Sequence, residues 1–577
     1  MSDPIHHIEK LVGEGRFLEA RSKTEKMLLD SDDLRLKQLL ALSMAKSGAP
    51  KAAMDFLEPI YREHPEDPES AGILGSIYKE LFKETKTTKY AVLSRDTYLK
   101  NFQQTGNHYT GINAASMSAI SGSVSKGREV ARQLINNISA NTTDAWELAT
   151  LGEAHLLLRE KERSVEYYGK CRHALGSDWG KVNSIHNQLW LLNHYIPVFE
   201  QVMNIFSPPA VAVFVGHMID HPSRGLSRFP EPVEAQVKEA ITSAIKTIHA
   251  KIGYCSVACG GDIIFAEAMV ETGAELNLFL PFQIDDFLDV SVKFAGLPWV
   301  DRFNKLISEH PVKFITREPY SGSDELFTFQ SKVMFGEAMQ RGNMMHISPY
   351  LISLFSNVDA KIKEGGTRDS LKLWPLPDKR ININPEHFIN VAVIKATKLN
   401  SDTISPATNQ KFQGDLNRHI RYLLYIRLQD ATTEDGERFN YHLTKKIKEI
   451  SNAEIQRGDQ SILFAFKTPE EAAGVAWSVL RLLRNFVPSS KVRVTLHAGP
   501  VYVDEVTSSL SGPQTEIVKS IQEFVISGKV YASFQFATVL AIDSKDYAME
   551  YAGLVSIHEN EKLEIYQLNR HAEAFDL

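Results

Sequence analysis

The segment Gly15-Arg-Phe-Leu-Glu-Ala20 recurs as Gly48-Ala-Pro-Lys-Ala-Ala53, so a glycine and an alanine both return after 33 residues. A chain with such a period folds as stacked copies of one unit, because a single unit cannot bury its apolar face and the next one covers it. Apolar periodicity is helical from Asp3 to about His194. Gly15 and Gly48 allow the turn within each helix pair, and Ala20 and Ala53 let the paired helices approach. Pro65 and Pro68 fall at a helix exit and the next helix entry. Further pairs follow over residues 109–139 and 143–175. The spacing predicts an all-α solenoid over residues 1–200. Solenoids offer concave surfaces, which makes the repeats a platform for a protein partner. A rigid spacer or a dimerisation arm accounts for the same pattern.

Past residue 200 the period changes to short β-runs alternating with helices. Pro209-Ala-Val-Ala-Val-Phe-Val-Gly216 is an apolar run of the kind found in buried parallel strands. It stops at Gly216 and enters a proline-bearing loop with Arg224 and Arg228, then a helical stretch striped by Val233, Val237, Ile241, Ile245 and Ile248. The next β-run ends in Cys259-Gly260-Gly261-Asp262 and opens a helix carrying Glu267. A glycine pair at a strand-to-helix turn lets backbone N–H groups approach a phosphate, and the helix N-terminus favours its charge. Glu267, one or two turns in, can then reach a ribose hydroxyl or a glycosidic carbon. A second glycine turn, Gly365-Gly366-Thr367, follows the apolar stretch Tyr350 to Phe355. Ligands bind such sheets at strand carboxyl ends. The candidate ligand-binding set is therefore Gly216, Arg224, Arg228, Gly260, Gly261, Asp262, Gly365, Gly366 and Thr367, with Glu267 the catalytic candidate if the chain is an enzyme. The alternative is that Gly260 and Gly261 form only a tight turn and Glu267 a solvated helix face.

At 577 residues the chain exceeds a single core, and about three or four domains are expected. With 43% apolar and 23% charged residues it has the composition of a soluble globular protein. A formal net charge of −7 leaves no basic footprint for nucleic acid and no reason to expect an anionic membrane partner. No apolar run nears the ~18 residues that span a bilayer. The start Met1-Ser-Asp-Pro-Ile-His-His carries no signal-peptide pattern, so the expected compartment is the cytoplasm. Cys171, Cys255 and Cys259 lack the His/Cys spacing of a zinc site and read as small buried hydrophobes.

Three resemblances sharpen these expectations. The helical third has the tetratricopeptide pattern, and Tyr78-Lys-Glu-Leu-Phe82 through Tyr109-Thr-Gly-Ile-Asn-Ala-Ala115 resembles the TRAFs-binding regulatory region of the apoptosis-signal-regulating kinases, without a kinase motif. Residues 208–376 resemble the SLOG superfamily, a Rossmann-like α/β nucleotide-binding group that includes the Lonely-Guy phosphoribohydrolases and DprA. Gly260, Gly261 and Glu267 fall on the Lonely-Guy spacing G-G-x-G-T-x-x-E, but Ile263 and Ile264 replace the Gly-Thr pair that would close around a phosphate. Leu280-Pro-Phe282, Trp299-Val-Asp-Arg302-Phe303 and Trp374 resemble SLOG-like bacterial sensor domains. The resemblance implies binding of a nucleotide or NAD-type ligand and weakens the case for turnover.

Residues 387–570, after the linker Trp374-Pro-Leu-Pro-Asp-Lys-Arg, resemble the class III adenylate/guanylate cyclase domain, an α+β ferredoxin-like fold. That family needs two aspartates for two metal ions. Asp459, in Arg457-Gly458-Asp459, matches the second and is a weak, vestigial metal position; Lys395 or Ala396 stands where the first belongs. Glu516 and Ser520 occupy the positions of the transition-state Asn and Arg, and Ile455 that of a purine-reading lysine. The resemblance thus implies a pseudocyclase that keeps the family's homodimer, with magnesium called for only if the domain is active. Three function classes stand: a cytoplasmic signalling protein sensing a nucleotide-derived ligand, an N-glycosidase acting on NAD or a nucleoside phosphate through Glu267, and a scaffold with vestigial nucleotide folds. A residual purine nucleotide cyclase is a further enzyme alternative.

Overall fold

The computed structural model describes residues 4–570 except 177, 222–223, 225–226, 357–365, 390–417, 430–431, 433–436, 438, 440, 442, 446–452, 459, 484–490, 505–508 and 559–560. The chain divides into two compact units, one of residues 1–208 with 551–564 and one of residues 209–550 with 565–577. Among the described residues no helix is long and apolar enough to cross a membrane.

The first unit is a helical repeat running from Pro4–Gly13 to Glu200–Ile205, each helix packed on its neighbour in sequence. Side-chain caps set several helix starts. Asp33 accepts from the Leu36 N–H at 2.9 Å, Asp67 from Ser70 N–H at 2.6 Å, and Asp144 from the Trp146 and Glu147 N–H groups at 2.9 Å. Gly15 and Gly48 take φ of +74° and +87°, left-handed backbone that a side chain rarely adopts and the turn role their spacing predicts. Ala20 and Ala53 are fully buried, and leucines such as Leu57 and Leu74 close the core beside Ala53. Each such leucine contributes about 2 kcal/mol by leaving water. The segment of residues 551–564 belongs to this unit. Its Ser556 N–H donates to Glu19 Oε1 at 2.6 Å, and the Tyr551 hydroxyl donates to the Gly15 carbonyl at 3.2 Å.

In the second unit, β1 (Ala210–Gly216), β2 (Ala250–Cys255), β3 (Glu275–Leu280), β4 (Val312–Phe314), β5 (Tyr350–Leu354) and β6 (Arg380–Ile383) form one sheet. Its order is β4-β3-β2-β1-β5-β6 and every neighbouring pair is parallel. Val211, Ala212, Val213 and Phe214 of β1 are fully buried, as a parallel strand covered on both faces requires. Strand order reverses between β1 and β5, which is where open parallel sheets leave a crevice beyond their carboxyl ends.

A second, mixed sheet holds β7 (Arg418–Leu428), β8 (Glu454–Arg457), β9 (Ser461–Phe466), β10 (Val492–Val503), β11 (Leu510–Ser511), β12 (Val530–Ser533), β13 (Tyr547–His558) and β14 (Glu561–Arg570). The order is β13-β14-β12-β10-β7-β9-β8, with β11 on β10; β10 runs parallel to β12 and antiparallel to β7. The opening strand expected over 389–397 lies, from residue 390 on, outside the described residues. Two helices join the sheets within this unit: Glu325–Met344 packs on Phe534–Asp543 so closely that a Cβ on Gly336 would stand 1.8 Å from the Thr538 carbonyl oxygen. The Lys332 ammonium pairs with Asp543 at 3.2 Å beside this contact.

Candidate functional site

Beyond β1 and β5 lies a cavity of about 310 Å³. Its floor is Gly216, His217 and Met218 at the end of β1, and its walls include Arg224 and Arg228 from the loop, Asp262, and Gly366 with Thr367. The crevice at the strand-order reversal thus gathers six of the nine sequence-predicted ligand residues. Gly365 lies outside the described residues.

Gly260 and Gly261, expected to cradle a phosphate, do not line this cavity. Gly260 takes φ +101°, and a Cβ there would stand 2.5 Å from the Ile219 nitrogen. Met218 forms a β-bridge with Gly260, Ile219 N–H donates to the Cys259 carbonyl at 3.3 Å, and Gly261 N–H donates to the His217 carbonyl at 3.1 Å. The pair therefore lets the 217–219 segment cross the turn, and the Gly261 N–H that a phosphate would use is already taken.

Glu267 also lies elsewhere. Its carboxylate receives two hydrogen bonds from Arg302, through Nε and Nη2 at 2.8 Å each, and the same guanidinium donates to Glu234 at 2.7 Å. The guanidinium lies over the Trp299 ring, 4.0 Å from its centroid. Sequence offered Glu267 as a catalytic group or a solvated face; it is one jaw of a clamp tying its helix to Leu297–Glu309.

Asp262 does face the cavity. It stands in the first turn of the helix Gly261–Glu271 and is only 8% exposed. Burial pushes its carboxyl up to about 7, opposed weakly by the Ala258 N–H at 3.4 Å. His217, also buried, accepts the Ser356 N–H on Nε2 at 3.0 Å, so that nitrogen carries no proton. The arginine loop is held by Asp220, whose carboxylate accepts from the Arg228 and Phe229 N–H groups at 2.9 and 3.0 Å, from the Ser227 hydroxyl at 2.7 Å, and approaches Arg224 Nε at 3.4 Å. Opposite, Asp324, Gln330 and Ser331 come from the helix Glu325–Met344 and the residue before it. Gln330 donates to the Phe279 carbonyl and Ser331 shares a hydrogen bond with Ser370, both at 3.0 Å. Sequence reasoning missed Asp220, His217 and this helix face; Asp220 alone had a signal, an aspartate at a proline-rich loop start. The assembled cavity offers two guanidinium groups for an anion, hydroxyls, and one carboxyl poised to hold or release a proton near neutrality.

Asp459, Lys395 and Ala396 lie outside the described residues. Glu516 pairs with Lys519 at 2.7 Å and the Ser520 hydroxyl donates to the Glu516 carbonyl at 3.0 Å, so both serve their own helix. His497 on β10 is fully buried between Ser533 and Gln514, at 2.7 and 2.8 Å, and burial pulls it down to about 4. Among the described residues no three His, Cys, Asp or Glu side chains converge to hold a metal ion. The three cysteines are free and buried.

The model of the Tetratricopeptide Repeats-Sensor family matches residues 16–118, within the helical repeats. No curated protein matches the chain. Among solved structures, the chain is similar to a thermophilic TPR protein from Thermus thermophilus, at 16% identity over 32% of this chain and 97% of that one, with a TM-score of 0.28. It is similar to the catalytic core of a rhodopsin-guanylyl cyclase with converted specificity in complex with ATPαS, at 11% identity over 26% of this chain and 97% of that one, TM-score 0.23. An adenylate/guanylate cyclase/hydrolase from Silicibacter pomeroyi gives 12% identity over 27% and 98%, TM-score 0.22.

Proposed function

We propose that this chain is a signalling protein whose central, SLOG-like and Rossmann-like domain binds a nucleotide-derived anion in the cavity beyond β1 and β5. The carrying observation is the convergence of Arg224, Arg228, Asp262 and Thr367 on one cavity at the strand-order reversal. In this reading the arginines hold phosphate, and Asp262 meets a ribose hydroxyl or a base edge. The helical repeats serve as a partner platform, and the cyclase-like domain is a non-catalytic homodimerisation module. The test is calorimetry of the full chain with ATP, ADP and NAD. Binding by at least one, weakened tenfold or more by Arg224→Ala with Arg228→Ala, supports the reading; no binding by any of them sinks it. Sedimentation of the full chain at micromolar concentration tests the dimer, which a monomer excludes.

A second reading rests on the place of Asp262, buried on the cavity wall in the first turn of the helix Gly261–Glu271, where that burial raises its carboxyl to about 7. A group titrating there is matched to general acid–base work at neutral pH, so cleavage of an N-glycosidic bond of NAD or a nucleoside phosphate would run through Asp262. Chromatographic release of free base by the wild type, abolished in Asp262→Asn while ligand still binds, would favour this enzyme over the sensor.

A further inference from the structure

A second cavity, of about 610 Å³, lies inside the helical-repeat unit. Five helices build it, Pro68–Thr85, His108–Ile120, Ala145–Leu158, Lys161–Leu175 and Trp179–Asn193. Their inward positions carry charge and amides where a solenoid ordinarily packs aliphatic side chains. Lys79 Nζ donates to Asn113 Oδ1 and to Gln188 Oε1, both at 2.9 Å. Glu153 accepts from the Ser116 hydroxyl and, at 2.9 Å, from Gln188 Nε2. An ammonium has three donors, and two are used here. Tyr168 lines the same cavity and is 1% exposed, yet its hydroxyl has no hydrogen-bond partner among the described residues. The Asn187 Oδ1 on the wall is likewise unpartnered among them. Buried polar groups are nearly always satisfied, and leaving one unmade is costly. A wall with an open hydroxyl and an open amide oxygen is built for something that enters.

The chemistry of the walls narrows what enters. Lys79 and Lys83 line the cavity with the single carboxyl Glu153; Lys83 pairs with Glu80 at 3.0 Å, while the Lys79 ammonium is held by two amide oxygens. Burial pulls the Lys79 ammonium down to about 8 and raises the Glu153 carboxyl, so Glu153 holds a proton more readily than an exposed carboxyl. Tyr109 and Trp146, 53% and 45% exposed, also line the cavity, with Ile112, Ile185 and Leu191 as apolar wall. We propose that this cavity is a binding site for a small organic anion with a planar apolar body, its acidic group on Lys79 and the Tyr168 hydroxyl and its body between Tyr109 and Trp146. The volume fits a ligand of that size. This site is independent of the one beyond β1 and β5.

Two sources share this chemistry, nucleoside monophosphates and aromatic carboxylates, and both are titrated into the full chain by calorimetry. AMP and GMP form one arm, indole-3-acetate and phenylpyruvate the other, with adenosine and inorganic phosphate alone as controls. The expected result is binding in one arm that exceeds both controls. It should fall at least tenfold in Lys79→Met and about fivefold in Tyr168→Phe. Tyr168→Phe removes one oxygen and keeps the packing, so it tests the site even where Lys79→Met fails to fold. No binding in either arm, or binding unmoved by Tyr168→Phe, overturns the proposal.

Discussion

Asp262 owes its raised carboxyl to its place in the sheet's crevice, where the 217–219 segment and the helix Glu325–Met344 leave it little water. Its folded value, about 7, lies above the ordinary carboxyl value near 4. The folded chain therefore holds more protons than the unfolded one between about pH 4 and pH 7, and stability falls as pH rises through that window. Across pH 5 to 7 the loss is on the order of 2 kcal/mol. Asp262→Asn should remove that slope, so urea unfolding at pH 5 and pH 8 should show a smaller difference in the variant than in the wild type. An identical difference would mean the carboxyl does not titrate where its burial places it. Glu267 gives the opposite expectation for function. Glu267→Ala should cost about 1–2 kcal/mol, because Arg302 keeps only Glu234 and stays half-buried on Trp299. Nucleotide affinity should not change, and a tenfold loss at unchanged stability would return Glu267 to the site.

At the scale of elements, Gly336 decides how two helices meet. The atom a side chain would strike is the Thr538 carbonyl oxygen, part of a backbone that cannot swing aside. Gly336→Ala should therefore force apart Glu325–Met344 and Phe534–Asp543 and cost about 3 kcal/mol or more, beyond ordinary overpacking. Denaturant unfolding should then lose cooperativity between the two sheets' signals; a single transition with an unmoved midpoint would refute the contact. The same scale explains what the sequence disclosed. The 33-residue return of Gly15 and Ala20 and the apolar run of β1 were legible because periodicity is local. The position of Gly260 was legible too, but its reason was not, since the segment it admits ends at Ile219, some forty residues earlier. The loop arginines were found because Arg224 and Arg228 follow a strand end. Ser331 was missed because it stands in an unbroken helical pattern, and Asp324 because it reads only as the residue before that helix. In the repeats, Lys79, Asn113, Glu153 and Gln188 come from four helices, and each looks like an ordinary polar position until the fold closes around them.

For the whole molecule, the chain's order matters as much as its contacts. The first helices, Pro4–Gly13 and Phe17–Met27, belong to a unit whose other part is residues 551–564. Between Gly15 and Tyr551 the chain makes a closure of more than five hundred residues, a long-range contact of the kind that forms late. That closure holds Glu19 and Arg16 through Ser556, at 2.6 and 2.9 Å, and seats Gly553 where a Cβ would come within 3.0 Å of the Phe17 nitrogen. Gly553 has φ +140°, so no other residue takes its place without strain. A fragment of residues 1–208 should thus keep its central helices, whose core of Ala53, Leu57 and Leu74 is complete without residues 551–564. Its first two helices should fray. Amide exchange should be faster over Pro4–Gly13 and Phe17–Met27 in the fragment than in the full chain, and unchanged over Pro68–Thr85. In Gly553→Val the full chain should reproduce the fragment's pattern. Equal protection of the first two helices in all three would show that the repeat stands without its C-terminal closure, and the late contact would then be decoration on a solenoid already folded.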